Sequence, residues 1–394
     1  MNNEKSTPVQ NAAQNLSPEP QGRTSAHRLR RTLAALACGM VTALVWLAPP
    51  CRAQDPSPTP TCSPTPPIPS PTPGNPYNRV CSQCFSEGAD FLLPTSHVAK
   101  DIPAAFQPPD GTILQWVEYI PAGSGPFYTI LVFHGGGFYK GTANEIGVQK
   151  LAADLQANGY YVLAVSYRLA PCGLIKKQPN HSHPESGRPP EQTDDAKSLV
   201  RAARQQPLCN GHVAVLGGGA GAAHAVFAAL DMTPSPPSTY PNWCQGGVDD
   251  RPDCAIALSG PYDLSDREDA GGVRLEFVKD VENYTNTITR VDPDGGPSQK
   301  TVSVVAQVKP QSVQTFKPIF AAGSVNDETP PHQMDDLECA LLANNINSSL
   351  YETLVIPGSD HGLLIWFDKD GLIPSRRLRL DAFDFLNAHF RSQP

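Results

Sequence analysis

From about residue 86 onward, the apolar and polar positions follow two alternating rhythms. Short apolar runs stand at 112–119, 127–133, 160–167, 212–216, 255–259, 318–323 and 351–356. Their length and their β-branched and aromatic content predict strands. Between them lie stretches with helical spacing. Segment 143–157 carries Ile146, Leu151 and Leu155 on one side and ends at Gly159. Segment 194–205, with Thr193 as the expected N-cap, places Ala196, Leu199, Val200 and Ala203 at i, i+3, i+4 and i+7, the mark of a buried face. Segments 222–230, 333–343 and 376–390 complete the helical set. Strands alternating with helices predict an α/β fold with a mostly parallel sheet covered on both faces. Binding sites in such sheets lie beyond the carboxyl ends of the strands. Two stretches break the alternation: a Pro- and His-rich loop at 172–191, and a polar, weakly patterned region at 266–312 that reads as a cap or lid insertion.

The first 85 residues follow other rules. Residues 1–53 read as an export segment: a polar tail, the basic cluster Arg28-Leu29-Arg30-Arg31, a mainly apolar run from Leu33 to Leu47, and a small residue at Ala53. The apolar run falls short of the about 20 residues of a stable membrane span. The long tail before it keeps an N-terminal membrane anchor as the alternative, which would tether the chain with its globular part outside. A secreted or periplasmic location follows from the first reading. Residues 54–85 form a proline-dense linker; such density prevents helices and sheet ladders and favours an extended stalk. Residues 86–394 are the globular domain. Eight cysteines follow Ala53: Cys62, Cys81, Cys84, Cys172, Cys209, Cys244, Cys254 and Cys339. An even number in an exported chain predicts disulfides of undetermined pairing. The formal charge of -8, with no basic stripe in the second half, argues against a nucleic-acid partner. No cofactor motif is evident. No metal site is expected either, since His181 and His183 form an isolated His-x-His in a loop.

Chemistry gathers at the strand ends. After the strand at 212–216 the chain reads Gly217-Gly218-Gly219-Ala220-Gly221 and enters a helix-forming run. That is the layout of the turn that carries a nucleophilic serine in Gly-x-Ser-x-Gly, with Gly219 in the serine's place. Glycine adopts the strained dihedrals of such a turn without a Cβ clash, so the substitution is compatible with the fold. Earlier, His134-Gly135-Gly136-Gly137-Phe138 follows a strand, and its glycines leave backbone N–H groups open to close approach by a ligand. Such donors stabilise the oxyanion formed when an ester carbonyl is attacked.

Together with Tyr167-Arg168-Leu169-Ala170-Pro171 at the end of the next strand, these motifs resemble the hormone-sensitive-lipase-like esterase and lipase branch of the α/β-hydrolases over about residues 110–394. The resemblance implies an α/β-hydrolase fold with an eight-stranded, mostly parallel sheet, helices on both faces and a small cap. It also implies a Ser–His–Asp triad acting on carboxylic esters. The backbone N–H groups of Gly136, Gly137 and Ala220 correspond to the oxyanion donors. The triad acid corresponds to Asp327 in Gly323-Ser-Val-Asn-Asp327, and the triad histidine to His361 in Asp360-His361-Gly362. The nucleophile does not carry over: Gly219 has no hydroxyl, and no Ser, Thr or Cys lies between Asn210 and Leu230. Ser259 begins a later loop and would need another geometry to reach His361. Two smaller departures are Cys172, where the branch usually has glutamate, and His224, which is displaced and reads as a helix-face residue.

Without the serine, an acyl-enzyme cannot form. The sequence therefore predicts an exported esterase-like protein with impaired or lost catalysis, its partner a small ester or ester-like molecule. The alternatives are a binding or sensing protein that uses the old pocket, and an active esterase whose serine is missing from this particular sequence. No substrate-binding residues and no oligomeric state follow from the sequence.

Overall fold

The computed structural model describes residues 98–171, 187–230, 249–266, 275–294, 296, 298–311, 315–367 and 375–390. All fall within one compact unit, residues 69–394. The export segment, the linker, His181, His183 and Cys62, Cys81, Cys84, Cys172 and Cys244 lie outside the described residues. Among the described residues, no helix is long and apolar enough to cross a membrane.

Eight strands form one sheet: β1 (Lys100–Asp101), β2 (Gln115–Tyr119), β3 (Phe127–Phe133), β4 (Tyr161–Val165), β5 (Cys209–Gly218), β6 (Cys254–Leu258), β7 (Ile319–Ser324) and β8 (Tyr351–Ile356). Their spatial order is β1-β2-β4-β3-β5-β6-β7-β8. The pairings β1–β2 and β2–β4 at one edge are antiparallel, and the remaining five are parallel. The register aligns the strand ends that matter. Phe133 pairs with Gly217, Gly218 with Leu258, and Gly323 with Val355. The loops leaving β3, β5, β6, β7 and β8 therefore open on one edge, as parallel sheets dictate.

The helices are α1 (Ile146–Ala157), α2 (Glu191–Arg204), α3 (Ala220–Ala229), α4 (Leu275–Thr285), α5 (Val304–Gln307), α6 (Gln333–Ala343) and α7 (Ser375–Phe390). Separate apolar clusters fill the two faces of the sheet. Leu131, Val215 and Ala257 point to the face shared with α2 and α3, and Val132, Leu216 and Ile256 to the face shared with α1 and α7. This is the period-two alternation of strands buried on both sides. Every residue of α3 is buried, which its run of Ala and Gly permits. A Cβ on Gly217 would come within 2.1 Å of Gly221 O, and one on Gly221 within 2.4 Å of Phe133 O, so the elbow admits only glycine at these two places.

Three expectations are corrected. Helix α2 begins at Glu191 after the N-cap Pro190, and Thr193 is a buried first-turn residue rather than the cap. The Pro190 carbonyl accepts the Asp194 N–H at 2.9 Å and sets the start. Within the region expected to be irregular, α4 is a regular helix with Phe277, Val281 and Tyr284 buried on one side. Finally, Cys209 and Cys254 are free thiols, not half-cystines. Cys254 sits wholly inside β6, where burial, aided by the charge of Asp253, pushes its thiol pKa up.

Candidate active site

Gly219 joins β5 to α3 with φ 56° and ψ -122°, well outside the regions open to ordinary L-residues. Its N–H donates to the Leu258 carbonyl at 2.9 Å, which ties the turn to β6. The strand-to-helix elbow predicted from the glycine run is therefore fully formed. A Cβ built on Gly219 would lie 2.9 Å from His361 Nε2, closer than real Cβ atoms approach. The imidazole thus occupies space that a side chain at position 219 would claim.

The acid and the histidine meet as expected. Asp327 Oδ1 is 2.6 Å from His361 Nδ1. Asp327 is only 1% exposed while the His361 side chain is 31% exposed, so the acid is shielded and the imidazole is reachable from the cavity. Burial alone would lower the His361 pKa. The hydrogen bond and charge of Asp327, with smaller contributions from Glu328 and Asp280, outweigh it and raise the pKa above the ordinary histidine value. With Nδ1–H donated to the carboxylate, Nε2 of the neutral ring is left as the basic atom facing the elbow.

Ser259 has a supporting role. Its Oγ donates to Asp327 Oδ2 at 2.5 Å and accepts the Gly362 N–H at 2.8 Å. The hydroxyl is thereby committed to the acid and to the backbone beside His361, which excludes it as a nucleophile in this arrangement. Ser259 also holds a positive φ of 58°, a strained value for a residue with a side chain. The N–H groups of Thr329 and Ser324 add further donors to Asp327, at 2.9 and 3.3 Å.

The two family-like motifs touch. Tyr167 Oη donates to the His134 carbonyl at 2.9 Å and its ring stacks on His134 with centroids 4.3 Å apart. The Ala170 N–H donates to the Phe138 carbonyl at 2.9 Å. Arg168, in the second motif, forms a buried ion pair with Asp195 of α2, 2.8 Å long. These contacts shape the glycine loop. Among the described residues, no acceptor engages the N–H groups of Gly136, Gly137 or Ala220. All three residues line one cavity of about 230 Å³ together with Gly219 and His361. The five predicted positions of elbow, histidine and oxyanion donors thus share a single cavity, with Asp327 directly behind it.

His224 lies on α3, on a face turned inward. It is fully buried, its Nε2 lies 2.8 Å from Gln192 Oε1, and Phe138 meets its ring edge-on. Burial first, then the nearby charge of His134, push its pKa down to about 3, so it is neutral at physiological pH. Gln192 also donates to the Phe138 carbonyl at 2.8 Å, so this neutral pair props the glycine loop.

Sequence reasoning missed the α4 wall. Phe277, Asp280 and Val281 line the cavity from the side opposite the elbow. The spacing of Phe277, Val281 and Tyr284 at i, i+4 and i+7 was the available signal. Beyond this pocket, Asp266, His332 and Asp336 present atoms within 4.8 Å of one another.

No protein-family model and no curated protein matches the chain. Solved structures do. An acetyl ester-xyloside bifunctional hydrolase from Caldicellulosiruptor lactoaceticus is similar at a TM-score of 0.52 and 20% identity, covering 75% of this chain and 98% of that one. Apo Thermogutta terrifontis esterase 2 is similar at a TM-score of 0.52 and 19% identity, covering 75% and 95%. The same esterase phosphonylated by sarin gives a TM-score of 0.52 at 18% identity, covering 75% and 95%. Identity at this level carries the fold and nothing finer. The sheet order, the covered faces and these neighbours together identify the fold of the chain as the α/β-hydrolase fold.

Proposed function

We propose that this chain is an exported esterase-like protein that has lost covalent ester hydrolysis and retains its pocket for a small ester or ester-like ligand. The observation that carries the reading is Gly219 at the elbow, in the strained turn conformation, with His361 Nε2 filling the place of the missing side chain. A nucleophile must stand between the histidine and the oxyanion donors. Here the histidine and its acid are assembled, and the atom that would attack is absent. Loss of a triad member leaves roughly 10³–10⁴-fold acceleration over water, supplied by oxyanion donors and binding. The Asp327–His361 pair can support such slow turnover by drawing a proton from water at Nε2. A cavity of about 230 Å³ is smaller than the roughly 300–1,000 Å³ of common small-molecule sites, which favours a short acyl or alkyl group.

The test compares the wild type with Gly219→Ser on p-nitrophenyl acetate and butyrate. Wild-type turnover is expected to be slow but above that of the His361→Ala variant, and the serine variant at least tenfold above wild type. Fast wild-type hydrolysis that His361→Ala abolishes would overturn the loss of catalysis. A serine variant with the kcat of a full esterase would favour the reading that the serine is simply missing from this sequence.

A further inference from the structure

The residue that faces the oxyanion loop from across the cavity is an acid. Asp280, on the inner side of α4, holds its carboxylate so close to Gly137 that a Cβ there would lie 2.1 Å from Oδ2 and 2.6 Å from Cγ. Gly137 is one of the expected oxyanion donors. A carboxylate in van der Waals contact with that position opposes the build-up of negative charge on a bound carbonyl oxygen, because like charges at this range in a partly dry site repel strongly. The same carboxylate helps to raise the His361 pKa, so its charge is felt across the pocket. A second acid, Glu328, stands on the cavity wall beside His361. Phe277, Val281, Pro261 and Thr329 also line the cavity, as does Lys140, whose Nζ lies 5.5 Å from the Tyr139 ring centroid.

We propose that Asp280 makes this cavity a site for a small organic cation: an alkylammonium group seated between Asp280 and the Phe277 ring, with its chain directed toward Gly219. Acid and aromatic walls together suit such a ligand, since the ring faces attract a cation and the carboxylate supplies its counter-charge. This inference rests on the reading that covalent catalysis has been lost, because an active esterase would need the Gly137 position free for an oxyanion.

Calorimetric titration of the full-length protein at pH 7 with n-butylammonium, n-butanol and butyrate tests it, since the three share a chain and differ in charge. Wild type should bind the ammonium at least tenfold more tightly than the alcohol, and butyrate more weakly than either. In Asp280→Asn, which preserves shape, the ammonium and the alcohol should bind within about twofold of each other, and the His361 pKa read by NMR should fall. Wild type that binds butanol or butyrate as well as the ammonium, or that binds no ammonium at millimolar concentration, overturns the proposal without any variant. An ammonium preference that survives in a folded Asp280→Asn protein overturns the role of Asp280. Rapid ester turnover by wild type would instead remove the loss of catalysis, and the two failures are read in separate assays.

Discussion

Ser259 offers a quantitative test of how the acid is held. In Ser259→Ala, Asp327 loses a 2.5 Å hydrogen bond and the Gly362 N–H loses its 2.8 Å acceptor, both in buried surroundings. A hydrogen bond to a charged group contributes about 1.5–3 kcal/mol, and a buried donor left unpaired costs about 1–3 kcal/mol. The two losses share one atom and do not simply add, so about 3 kcal/mol is expected. For a domain of this size each kcal/mol moves Tm by about 2–4 °C, which gives a fall of about 6–12 °C. Ser259→Gly loses the same bonds but relieves the positive φ, and should be more stable than the alanine variant by about 1 kcal/mol. Differential scanning calorimetry on the three proteins measures both effects. A fall below about 2 °C for Ser259→Ala, or a glycine variant less stable than the alanine one, would refute the assignment of Ser259 as the support of Asp327. Residual ester turnover should also survive in Ser259→Gly; loss down to the His361→Ala level would reinstate Ser259 as an attacking group.

Other consequences are testable in the same way. His224 is neutral in the fold with a pKa of about 3, against about 6.5 when unfolded, so the native state binds fewer protons between these values and stability falls as pH drops through that window. At pH 5.5 its contribution is a loss of about 1.4 kcal/mol, visible as a steeper pH dependence of urea midpoints in wild type than in His224→Gln. Asp336 behaves in the opposite sense. Burial, then the charges of Asp263 and Asp266, raise its pKa to about 6, so it destabilises the fold progressively as pH rises from about 4 to 6. After allowance for solvent screening at this partly exposed group, Asp336→Asn should gain about 1 kcal/mol at pH 7 and nothing at pH 3.5, by chemical denaturation. Gly219→Ser must enter a strained turn and push the imidazole back, and should lower Tm by about 4–8 °C. In that serine background, Asp280→Asn should raise kcat on p-nitrophenyl acetate by at least a further tenfold, since it removes the negative charge that opposes the oxyanion.

Much of this was legible in the chain. The parallel strands announce themselves as apolar runs because both their faces are buried, and the strand ends carry the glycines, the acid and the histidine in an order that only a shared sheet edge brings together. Seven of the eight strands stand out as such runs, and the count of eight came only as an implication of the family resemblance. What stayed hidden has a physical cause in each case. Strand β1 is too short to show a period. Helix α4 lies among polar residues, and its three apolar anchors were diluted by them. Helix α2 starts two residues before Thr193 because proline set its entry, whereas capping residues were the signal sought. The disulfide expectation failed at Cys209 and Cys254 because cysteine count reports compartment and not location, and Cys254 is a core residue of a central strand. Asp280 could not be assigned to the pocket from sequence, since its place depends on how the segment after β6 folds back over the elbow.

The interlocked glycines of the elbow bear on history as well as packing. Gly217 and Gly221 are fixed by backbone approach, α3 by complete burial, and Asp327 by four donors from three loops, none of which involves the atom that would attack a substrate. Folding requirements alone can hold this architecture in place. If the proposed loss of catalysis is right, the acid–histidine pair is no clock for it. Evidence of present use must come from the cavity wall, where Asp280, Glu328 and Lys140 carry charge that the sheet does not require.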